Sequence, residues 1–167
     1  HKVEPMNKKL LLPLGIVALV LVAALAYFWA TAAIDSLYAF RSPLADDPPT
    51  PGPALGNPLT RRVVFVLIDG LRDDTANDAT VMPFLAELRS QGASATLQSR
   101  PPSFSAPGYT VLFSGAWPDI SDGPAVNLSY DEYWTWTQDN VFSAVHRAGG
   151  RTAISGYNWF EKLVPQD

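Results

Sequence analysis

Twenty-four consecutive residues without a charge, Leu10 to Ala33, constrain this chain more than any other feature. At about 1.5 Å of rise per residue, a helix of that length crosses a hydrocarbon core of about 30 Å. Lys8 and Lys9 precede the run and Asp35 follows it. By the positive-inside rule, residues 1–9 stay in the cytoplasm, residues 10–33 form an uncleaved signal anchor, and the rest is exported. Tyr27, Phe28 and Trp29 fall near the far end, where aromatic rings favour the interface. Two other readings compete. A cleaved signal peptide has an apolar core of roughly 7–15 residues, with a conceivable cut around Ala30-Thr31-Ala32; a buried core helix is the third. The length of the run favours the anchor. Met6, followed by Asn7-Lys8-Lys9, reads as a natural start, with residues 1–5 an extension upstream of it.

Residues 34–60 read as a Pro-rich linker. Within positions 42–60, six of 19 residues are proline, a composition that favours extended polyproline-type backbone and spaces a domain from a bilayer. The remaining residues, 61–167, are enough for one domain of the 167-residue chain. A content of 47% hydrophobic and 17% charged residues excludes a disordered chain. With 12 Lys+Arg against 16 Asp+Glu, no nucleic-acid-binding surface is evident. Cysteine is lacking altogether, which excludes disulfides and thiolate metal sites. The two histidines, His1 and His146, cannot by themselves build a His-rich metal centre. A solvent-exposed or half-buried place on a helix is expected for His146.

Elements then alternate. Val63 to Ile68, six apolar and mostly β-branched residues, read as a strand buried on both faces. A helix follows, with Val81, Phe84, Leu85 and Leu88 on one face, Thr80 as cap, Pro83 in the first turn and Gly92 as stop. Ala93 to Leu97 read as a short strand. Ala106 to Ser114 form a helix ended by Gly115, Asp139 to Ala148 another ended by Gly149-Gly150, and Arg151 to Ser155 a further strand. The order predicts an α/β domain with a parallel-rich sheet flanked by helices, preceded by one transmembrane helix.

In open α/β sheets ligands bind beyond the carboxyl ends of the strands. Asp69 stands there, after the most hydrophobic strand, as a ligand for a hard or borderline cation; alternatively Asp69-Gly70 is merely a turn. Ser105 precedes Ala106-Pro107-Gly108 and reads as a helix N-cap, worth about 1 kcal/mol. The same place would give its hydroxyl the free N–H groups and positive dipole end of the helix, an anion site. The aromatic run Tyr130 to Trp136 either lines a substrate mouth or packs as a hydrophobic flap.

Taken together, Val63 to Thr75, then Pro83-Phe84-Leu85, then Ser99 to Gly115 resemble the alkaline phosphatase superfamily, closest to its type I phosphodiesterase / nucleotide pyrophosphatase and GPI ethanolamine-phosphate transferase branches. Asn140 to Phe160 resembles that superfamily's helix–strand step. The resemblance implies an alkaline phosphatase-like fold, here incomplete, with Asp69 as the first metal-ligating Asp. It implies Ser105, 36 residues later, as nucleophile and metal ligand, and Asn127 as a phosphate-binding residue. Asp122-Gly123 stands where the pyrophosphatase branch has a His-Gly pair. Asn127-Leu128-Ser129 also reads as a glycosylation sequon.

The implied cofactors are two divalent metal ions of the zinc type, about 4 Å apart, clamping the attacking and leaving oxygens. The other ligands of the family, two Asp and three His in a typical site, lie beyond the stretch matched here, so the chain is expected to be an N-terminal fragment, inactive alone. The implied function is a membrane-anchored, extracytoplasmic phosphodiesterase or nucleotide pyrophosphatase. It would act on a small phosphate ester and sit in the lipid bilayer through residues 10–33. A phosphoethanolamine-type transferase, a sulfatase relative and a non-catalytic surface domain remain alternatives. The sulfatase is disfavoured because Tyr109 stands where that branch has Arg.

Overall fold

The computed structural model describes residues 8–53, 56–57, 59–101 and 103–164. Helix α1 runs from Lys8 to Tyr38. It is apolar on every side, and the segment Leu11–Tyr38 is long and apolar enough to cross a membrane, with no buried residue in its apolar window. A helix apolar all round and covered by no other element suits lipid rather than a globular core. It continues past Ala33, where the uncharged run ends. Thr31 Oγ1 donates back to the carbonyls of Tyr27 and Phe28, and Ser36 Oγ to that of Ala33. Such back-bonding hides hydroxyls inside the helix ladder.

Beyond α1 the chain is strapped down at once. Arg41 reaches Asp122 with Nε at 3.0 Å and Nη2 at 2.6 Å. Ser42 N–H donates to the same carboxylate at 2.8 Å, and Ser42 Oγ to the Asp119 carbonyl at 2.8 Å. The Arg41 guanidinium also lies 4.6 Å from the centre of the Trp134 ring. Ser42 and Asp122 are buried. The Pro-rich stretch therefore begins as a packed strap.

Among the described residues six short helices follow: α2 (Asp73–Asn77), α3 (Pro83–Gln91), α4 (Ser105–Ser114), α5 (Pro118–Ser121), α6 (Val141–Arg147) and α7 (Phe160–Leu163), with a 3-10 turn at Tyr130–Glu132. The expected punctuation holds for α3, which has Pro83 at its first position and Gly92 at its end. Met82 occupies its cap, because Thr80 is engaged in a turn with Asp78. Helix α6 starts at Val141, two residues after the Asp139 boundary expected for it. Asn140 caps it by accepting from the N–H groups of Phe142 and Ser143, which fixes the start at Val141.

The sheet is not seen. Among the described residues no strand forms at 63–68, 93–97 or 151–155. Val63, Val64, Phe65, Val66 and Ile68 are all exposed, against the expectation of burial on both faces. The physical reason is that a β ladder requires a second backbone, and a parallel strand is buried only between neighbours and covering helices. Among the described residues no backbone hydrogen bond joins any two of the three segments.

The core gathers instead on α4. Ala106, Tyr109 and Phe113, at helical spacing, are buried with Tyr133, Trp136, Leu163 and Val164. The Tyr109 ring stacks on Phe160 at 5.2 Å, and Phe113 meets Phe142 edge-on at 5.1 Å. Gly115 closes α4 in the left-handed region at φ 70°. The aromatic run turns out to be the packed flap. Trp136 is 1% exposed and donates to the Ser121 carbonyl at 2.5 Å, while the Tyr133 hydroxyl accepts from Leu128 N–H. His146 is half-buried, its Nε2 2.8 Å from Thr152 Oγ1.

The Asp122-Gly123 turn seats this flap on α4. Asp122 is itself left-handed at φ 52°. A Cβ at Gly123 would lie 2.8 Å from Cβ of Thr110 and collide with its hydroxyl, and Thr110 is fully buried. Gly123→Ala is expected to cost about 1–3 kcal/mol by overpacking. A second change, Thr110→Ala, should recover part of that loss by clearing the space. Thermal unfolding of the single and double variants in detergent checks both.

Candidate active site

Asp69 and Ser105 meet. Asp69 follows the apolar run 63–68 in a tight turn with Gly70 at φ 68°, a left-handed conformation that glycine adopts without strain. Ser105 Oγ donates to Asp69 Oδ2 at 3.1 Å across 36 residues of sequence. Asp69 is exposed and Ser105 half-buried.

One expectation about Ser105 is corrected. The cap of α4 is Phe104, in extended conformation, with no side-chain cap bond, and Ser105 is the first helical residue. Its hydroxyl is therefore free of capping duty and turns to Asp69. The cap bond comes from a distance: Asn127 Oδ1 accepts the Ala106 N–H at 2.9 Å. A backbone N–H can only donate, so it fixes the amide's orientation and leaves Nδ2 as the remaining donor of the amide. Among the described residues that Nδ2 has no protein acceptor. The helix itself offers fewer donors than a free N-terminus. Pro107 has none, the Ala106 N–H is taken by Asn127, and the Gly108 N–H closes the first turn on Phe104. Ser105 N–H and Asn127 Nδ2 are the donors left to face an anion.

A fourth residue, weighed in the sequence only against the sulfatase Arg, joins them. Tyr109 is buried, one helical turn after Ser105, with its ring held by Phe160 and Trp159. Burial pushes its phenol above the usual range, helped by a hydrogen bond and the charge of Asp69, while the Ser105 hydroxyl opposes the shift. Both effects favour the neutral form of a phenol that lies near the Asp69–Ser105 pair. The i, i+4 spacing from Ser105 is the signal that places it on the same helix face. Asp69, Ser105 and Tyr109 line a cavity of about 850 Å³, whose walls also include Arg100 together with Leu37 and Phe40 from the end of α1 and the residues after it, while Asn127 stands outside its lining.

Among the described residues no group of three or more His, Cys, Asp or Glu side chains could hold a metal ion. Two oxygen donors do stand together. Oxygens bound at about 2.0–2.2 Å to a tetrahedral zinc lie about 3.4 Å apart, and the Asp69–Ser105 separation of 3.1 Å is close to that. The pair fits part of a metal site and not a whole one.

The same stretch of chain matches known sequence. Residues 63–121 match the family model of type I phosphodiesterase / nucleotide pyrophosphatase. The human protein GPI ethanolamine phosphate transferase 2, catalytic subunit, is 31% identical over 134 residues, which is 72% of this chain and 13% of that protein. This chain thus spans about an eighth of the relative's length. No solved structure matches significantly. Both matches lie in the alkaline phosphatase superfamily, and residues 63–121 are sequence of its type I phosphodiesterase kind. The matched segment holds Asp69, Ser105 and Tyr109; Asn127 lies outside it.

Proposed function

We propose that this chain carries the nucleophile of a membrane-anchored, metal-dependent phosphoric-ester hydrolase of the phosphodiesterase type, acting on the extracytoplasmic side. The observation that carries the reading is the 3.1 Å contact of Ser105 Oγ with Asp69 Oδ2 in the wall of a cavity. The family match supports it, because that match encloses both residues. Ser105 Oγ attacks phosphorus, its proton passes toward Asp69, the Oγ–P bond forms and the bond from phosphorus to the leaving oxygen breaks. Water then cleaves the phosphoserine ester, so one difficult displacement becomes two easier ones. Asn127 Nδ2 and Ser105 N–H donate to the non-bridging oxygens. Tyr109, one helical turn after Ser105, forms the cavity wall beside the pair. Asp69 and Ser105 would contribute to a divalent metal site of the zinc type. A bound ion supplies Lewis-acid stabilisation of the alkoxide and of the phosphoryl charge.

A second reading, transfer of the phosphoryl ester to an alcohol, is favoured by the human relative, which is named a transferase. The two differ in what attacks the phosphoserine, water or an alcohol. The test incubates the full-length protein with a chromogenic phosphodiester, with and without a primary alcohol. Hydrolysis that a chelator abolishes and added zinc restores is expected. Product appearing chiefly on the alcohol selects the transferase, and no release of chromophore contradicts both.

Asn127 separates its two duties by substitution. Asn127→Ala is expected to cost about 1 kcal/mol of stability by orphaning the Ala106 N–H. Asn127→Asp keeps that acceptor and should restore stability, yet its charge faces the phosphate, so KM should rise more than in the alanine variant. Thermal unfolding beside KM for the chromogenic ester reads both effects.

A further inference from the structure

Leu37 and Phe40 line the same cavity as Asp69 and Ser105. Leu37 lies on α1 two residues after Asp35, about 3 Å further along the axis. A carboxylate is expensive inside hydrocarbon, so Asp35 marks the membrane boundary and the Leu37–Phe40 wall stands at headgroup level. This wall is built rather than tethered. The buried Asp122 carboxylate takes Arg41 Nε and Nη2 and the Ser42 N–H, while Ser42 Oγ donates to Asp119. The next residue, Gly123, presses against Thr110 of α4, the helix that carries Ser105. Contacts therefore run from the reaction centre through α4 and the Asp122-Gly123 turn to the end of the membrane helix. A plain tether needs none of them.

We propose that the juxtamembrane segment Leu37–Ser42 is a wall of the reaction cavity, in which Leu37 and Phe40 select phosphate esters bearing a long apolar chain that reach Ser105 from the bilayer, and Asp122 is the residue that positions this wall. The proposal rests on the reading of Ser105 as reaction centre. A chain lying along Leu37 and Phe40 leaves water, and each methylene so buried is worth about fourfold in kcat/KM.

The test uses full-length protein in phosphatidylcholine nanodiscs, with p-nitrophenyl phosphodiesters carrying a methyl or a dodecyl group. Wild type should prefer the dodecyl ester by well over tenfold in kcat/KM, after allowance for its membrane concentration. Leu37→Ser and Phe40→Ser should each cut the preference by about tenfold, and Asp122→Asn by a similar factor, with Arg41→Lys retaining part of it. A preference near one in wild type, or one unmoved by all these variants, overturns the proposal. A second measurement does not depend on turnover: a dodecyl phosphonate with a diazirine in its chain, photolysed and mapped by mass spectrometry. Label is expected on residues 37–40 in wild type and should be lost in Asp122→Asn; label confined to other residues overturns the wall. Label on residues 37–40 without turnover of either ester supports the wall and sinks the hydrolytic reading. Turnover without chain-length preference does the reverse.

Discussion

Ser105→Ala should abolish turnover, by about a thousandfold or more, while the protein still folds. The hydroxyl is the reacting atom of the proposed mechanism, and losing the nucleophile of a coupled site typically costs at least that much. Folding should hardly suffer, because Ser105 is the first residue of α4 and not its cap. Its single side-chain bond, to Asp69, is exposed, so the loss is about 0.5–1 kcal/mol. Alanine's better helix propensity offsets part of it. Ser105→Thr should keep measurable activity, since the hydroxyl survives. Asp69→Asn should lose turnover for a different reason. A neutral amide is a poorer ligand and proton acceptor than a carboxylate, so its defect should be partly rescued by high zinc, whereas that of Ser105→Ala should not. Turnover against added zinc, with circular dichroism to confirm folding, separates nucleophile from ligand.

The second large effect concerns stability. Arg41→Ala should destabilise the protein more than Asp122→Ala. In the first variant the orphan is a carboxylate that is 2% exposed and left with Ser42 N–H as its donor; in the second it is a guanidinium already 49% exposed, free to turn to water. Removing one partner of a fully buried pair costs about 3–5 kcal/mol. Half-exposure of Arg41 discounts that to about 2–3 kcal/mol for Arg41→Ala. Asp122→Ala should cost about 1–2 kcal/mol, from the unpaired Ser42 N–H and from alanine's poorer tolerance of the left-handed backbone at φ 52°. Arg41→Ala also loses the contact with the Trp134 ring. Unfolding midpoints of the two variants beside wild type give the order, and a larger loss for Asp122→Ala would contradict this account of the strap.

What could be read from the residues was what local chemistry decides. Pro83 and Gly92 bracket α3, and Gly115 stops α4 because the left-handed turn favours glycine. The pairing of Asp69 with Ser105 was legible only through motif order and spacing, since nothing local says that positions 36 apart will touch. Tyr109 enters the sequence reading only as a departure from the sulfatase Arg, although its helical register puts it on the Ser105 face. The Arg41–Asp122 strap joins residues 81 apart inside what reads as linker, and no periodicity announces it. Asp122 was noticed solely as a departure from a His-Gly pair; its burial gives that departure a physical role. The strand expected at 63–68 is not formed among the described residues, for a reason no sequence window contains: a strand's stability belongs to its neighbours as much as to itself.

The central claim is that Ser105 becomes covalently attached to phosphorus. The most direct measurement is to quench the full-length enzyme with acid during turnover of a phosphodiester, digest it and locate the adduct by mass spectrometry. The account predicts a phosphoryl ester on Ser105, removed by longer incubation before the quench and missing from Ser105→Ala. An adduct on another residue, or turnover in folded Ser105→Ala with no adduct at all, would contradict it.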